Sequence, residues 1–77
     1  MNDKRRKAIQ AEISKLEEIR DNLQNLLDEE QEYFDNMHEN LQGGKKGQKS
    51  EEGISNLETT VSNLEDSISE LETCIEK

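Results

Sequence analysis

The chain has 77 residues and a formal net charge of −9, with 29% hydrophobic and 38% charged residues, no Pro, no Trp, one Tyr and one Phe. This allows one small domain over residues 1–77 and leaves too little apolar side chain for a thick globular core. The acidic balance argues against nucleic acid and anionic membrane surfaces as partners, and no apolar run is long enough to span a bilayer.

The start, Lys4-Arg5-Arg6-Lys7, leads into an amphipathic pattern and not into the apolar core of a signal peptide. The single cysteine, Cys74, cannot form an internal disulfide framework, and the expected location is a reducing cytoplasm.

Residues 3–42 predict one long helix with Asn2 or Asp3 as its N-cap. Its apolar positions are Ile9, Ile13, Leu16, Ile19, Leu23, Leu26, Leu27, Tyr33, Phe34, Met37 and Leu41. The run 16-19-23-26 has heptad spacing, and counting in sevens from Leu26 puts Tyr33 on the seam and Phe34 beside it. Glu30 then occupies the seam position between Leu26 and Tyr33, either with its stem packed and its head in water or as a polar group that sets the register.

Gly43-Gly44-Lys45-Lys46-Gly47-Gln48-Lys49-Ser50 has three glycines and no apolar residue, and predicts a loop. Gly43 or Gly44 would close the first helix in the left-handed conformation, and Ser50 would cap the next one.

Residues 51–76 predict a coiled-coil helix. Ile54, Val61, Ile68 and Ile75 recur at heptad position a, and Leu57, Leu64 and Leu71 at d, the 3-4 alternation of a left-handed seam. Position e is Glu58, Glu65 and Glu72, while g is small: Thr60, Ser67 and Cys74. A lone helix with one apolar stripe is marginal in water, so this stretch requires a partner. The small shoulder lets a second helix approach closely, and Cys74 is expected to be a small buried residue there.

The expected fold is therefore all-α: an antiparallel helical hairpin that assembles into a dimer or larger bundle. Residues 1–20 carry six basic and four acidic side chains, and 21–42 seven acidic and no basic ones. Antiparallel folding would set Lys15 and Arg20 against the glutamates near Glu72. Helices of roughly 60 and 38 Å would also leave an N-terminal overhang carrying Ile9 and Ile13, which a second copy would cover.

The stretch Asp28–Gln42 gathers both aromatics, the sole histidine and six acidic residues. Written out, DEEQEYFDNMHENLQ resembles a DEEQEYFDNMPENLQ motif of small helical-hairpin proteins of phages and prophages, and the resemblance continues into the Gly/Lys loop and the ISNLE repeat. His38 stands where that motif has Pro. The resemblance implies a phage or prophage accessory protein.

Tyr33, Phe34 and Met37 are candidates for a contact surface, with Asn36 and Asn40 supplying hydrogen bonds to a protein or small ligand. Tyr33 is expected to plug the bundle end and Phe34 to be the exposed anchor. Lys45, Lys46 and Lys49, or Arg20 between subunits, could hold a phosphate, although the spacing is no P-loop. Asp35, His38 and Glu39 share one helical turn but make only a weak metal set, so no metal or cofactor is expected. No nucleophile–base arrangement is visible. The expected role is non-enzymatic: protein–protein interaction and self-association that block a host protein. The alternatives are an oligomer sequestering a small phosphorylated ligand and a purely structural spacer.

Overall fold

The computed structural model describes residues 1–76. Three helices follow in order: α1 (Asp3–Asp35), α2 (Glu39–Gln42) and α3 (Lys45–Cys74). α1 and α3 pair antiparallel into a rod of 58 × 14 × 13 Å, and no strand occurs among the described residues. The all-α hairpin expected from the heptads is the observed fold.

α1 starts where the Asn2 side chain accepts from the Arg5 N–H at 2.7 Å, a standard N-cap. It ends earlier than the apolar pattern suggests. The Asn36 N–H bonds back to the carbonyl of Glu32, the Met37 N–H bonds to that of Phe34, and the chain then turns. His38, at φ −59° and ψ 143°, opens α2, and the Gln42 amide donates to the Phe34 carbonyl at 2.9 Å. That bond satisfies one of the acceptors left open at the end of α1.

The expected loop over 43–50 is not a loop. Only Gly43 and Gly44 separate α2 from α3, neither has a positive φ, and Gly44 is the N-cap of a helix that already includes Lys45, Gly47 and Ser50. The reason lies at Gly47. A Cβ there would overlap the backbone of Gln42, so the glycine allows α2 to lie directly on α3. Ser50 accordingly caps nothing; it lies inside the helix, 5% exposed, with its hydroxyl donating to the Glu30 carboxylate.

α1 and α3 are thus nearly matched, at roughly 50 and 45 Å by the helical rise. The predicted N-terminal overhang is absent: Ile13 is 1% exposed, the most buried large side chain, and Ile9 is half-buried. Nor do charges bridge the helices as expected. Arg6, Lys15 and Arg20 pair with Asp3, Glu12 and Asp21 of α1 itself, and these are the ion pairs among the described residues.

The inner seam of α1 runs through residues 6, 9, 13, 16, 20, 23, 27, 30 and 34, all buried or half-buried and spaced 3-4 throughout, and Met37 of the following turn extends it. On α3 the a positions Ile54, Val61 and Ile68 are buried at 7%, 6% and 3% exposure, whereas the d leucines 57, 64 and 71 are half-exposed. Ile75 lies just past the helix end and is half-buried. Two helices enclose a single line of side chains, and d stands at its edge.

Candidate interaction face

α1 carries two apolar stripes, and the hairpin uses one. Leu27 is buried on the inner seam; Leu26, its neighbour, is 52% exposed. Ile19 and Tyr33, seven residues either side of Leu26, are 48% and 49% exposed. Together with Leu16, Leu23 and Glu30, which belong to both stripes, they form a second heptad line facing away from the α3 core.

α3 lies beside this line with its g shoulder. Tyr33 of α1 and Lys46, Gly53 and Leu57 of α3 border one open cleft of about 390 Å³. Residues 46 and 53 are both g positions, so in sevens the same side of α3 presents Gly53, Thr60, Ser67 and Cys74. The opposite groove contains Phe34 and Ile54 with Glu51 and Glu58, the acidic e shoulder. One face of the rod therefore has a ridge of large apolar residues on α1 beside a row of small residues on α3, edged by the d leucines. Cys74 is exposed there and not buried as expected.

The tip assignments reverse. Phe34 is half-buried on the inner seam, and Tyr33 is the exposed aromatic. Counting in sevens from Leu26 followed the outer stripe; counting from Leu27 leads to Phe34. Met37 is half-buried, Asn36 and Asn40 are exposed in the turn and in α2, and Lys45, Lys46 and Lys49 are exposed on the first turns of α3.

Of the proposed binding residues, Tyr33, Lys46 and Lys49 share the cleft, together with Glu30 and Ser50. Arg20 does not join them: it lies 13 residues up α1 from Tyr33, about 20 Å by helical rise, and pairs with Asp21. The turn after Asp35 separates that carboxylate from His38 and Glu39, and no three-residue metal cluster forms among the described residues.

Sequence reasoning missed two glycines of opposite character. Gly47 is buried under Gln42, whereas nothing lies within 4 Å of a Cβ placed on Gly53. Extending the heptad back from Ile54 would have exposed the first, because Gly47 falls at a and Ser50 at d.

No described helix is long and apolar enough to cross a membrane. No protein-family model, curated protein or solved structure matches the chain.

Proposed function

We propose that this chain is a non-enzymatic accessory protein of phage or prophage type that acts by protein–protein contact through the outer face of the hairpin. The observation that carries the reading is the line Ile19, Leu26 and Tyr33, each about half exposed and in heptad register. Scattered surface hydrophobes are ordinary, but a periodic line of them along a rigid helix is the usual form of a helix-binding surface. The exposed line is apolar, so the fitting class of partner is a helix with an apolar stripe of its own.

The test is a triple variant, Ile19→Ser, Leu26→Ser and Tyr33→Ser. It should keep its helical dichroism when dilute and lose capture of the protein that wild type retains from a host lysate. Equal capture by both would refute the reading.

A second reading is favoured by the cleft itself, where Tyr33, Lys46 and Lys49 offer a ring and two cations to a small phosphorylated ligand, opposed by Glu30. Nucleotides at 1,000 times their Kd would stabilise the fold by about 4 kcal/mol. A screen without a shift in melting temperature removes this reading.

A further inference from the structure

We infer that the outer face takes a second copy of this chain, side by side, with α1 of each copy seated on the small shoulder of α3 of the other and both hairpin tips at the same end. The inference rests on the protein-contact reading above and names the occupant of that face.

Shape is the first argument. The face is a ridge beside a trough: Ile19, Leu26 and Tyr33 stand out on α1, and Gly53, Thr60, Ser67 and Cys74 recede on α3. A two-fold axis along the rod places each ridge over the other copy's trough, so the same patch serves both partners, as an isologous interface requires. A two-fold axis across the rod would instead set ridge on ridge and small residues on small residues, holding the troughs apart.

Level agrees with the first arrangement. Glu30 and Ser50 touch within one chain, so residues whose numbers sum to roughly 80 lie at the same height. A lengthwise two-fold axis preserves height. Leu26 then meets the second copy's α3 between Gly53 and Thr60, and Ile19 meets it between Thr60 and Ser67.

Size is sufficient. A face 58 Å long and 14 Å wide offers up to about 800 Å² per copy in projection, which reaches the usual share of one partner in a stable interface when the whole length is engaged. Burial of the d leucines and the outer stripe of α1 would complete a four-helix core with the two seams of α1 both filled.

The experiment uses the full chain with a nitroxide on its native Cys74, which is exposed at the end of α3. Sedimentation equilibrium of the unlabelled protein at micromolar concentration should report twice the 8.9 kDa chain mass. Electron–electron distance measurement should place the two labels within about 20 Å, as expected for facing ends of adjacent helices, and not at the roughly 50 Å that opposite ends of the rod would give. Leu26→Lys should weaken association at least tenfold while leaving the dilute chain helical. A monomer, or labels near 50 Å, overturns the inference. If that monomer still captures a protein that the triple-serine variant does not, the contact reading survives and only the second copy is refuted.

Discussion

The Ser50 hydroxyl donates to the Glu30 carboxylate at 2.5 Å, joining the tip-proximal turns of α1 and α3 across the seam. Both residues lie on the heptad line, so a slip of one turn would leave a half-buried carboxylate without its donor. A hydrogen bond to a charged group contributes about 1.5–3 kcal/mol, and Ser50→Ala should lower the unfolding free energy by that amount in urea titration. A change below about 0.5 kcal/mol, the range of ordinary surface substitutions, would show that the pair does not fix the register.

The two interior glycines of α3 should respond to alanine with opposite signs. Gly47→Ala forces the Gln42 backbone away, and overpacking of this kind costs about 1–3 kcal/mol. Amide exchange over α2 should accelerate in the same variant. Gly53→Ala meets open space and should stabilise the dilute chain by up to about 1 kcal/mol through helix propensity. Thermal melts of the two variants side by side check the contrast.

His38 has φ −59°, within the range proline imposes, and it precedes α2 as its N-cap. His38→Pro should therefore change stability by less than about 1 kcal/mol, against the 3 kcal/mol or more expected inside a helix. The Asn40 N–H would lose its long 3.5 Å contact to the His38 ring, a small cost. An early melt would mean that α1 continues through this position in solution.

The α3 seam was readable because Ile54, Val61 and Ile68 repeat without interruption, and the hairpin follows from one stripe needing another. The end of α1 was not readable. Asp35, Asn36, His38 and Asn40 are weak helix formers, but weak propensity alone does not fix a helix end, and the break also depends on α2 docking over Gly47, a long-range contact. The tip aromatics were misassigned because Leu26 and Leu27 are adjacent and each begins a valid count in sevens. Burial on a two-faced helix is decided by which stripe the partner helix meets first. Arg20 illustrates the limit on charge arguments: its Coulombic preference for α3 glutamates was outweighed by Asp21, its sequence neighbour at 3.1 Å.

Leu26 and Leu27 provide the most direct test of the central claim, that α1 has an inner seam for folding and an outer stripe for contact. Each is changed to Ala and measured twice, by thermal melting in dilute protein and by association at micromolar concentration. Leu27, at 9% exposure, should cost about 2–5 kcal/mol on truncation and melt early at every concentration. Leu26, at 52% exposure, should leave the dilute melt nearly unchanged and weaken association. An early dilute melt for Leu26→Ala, with Leu27→Ala close to wild type, would mean that the stripes have been exchanged and that the proposed contact face is the core.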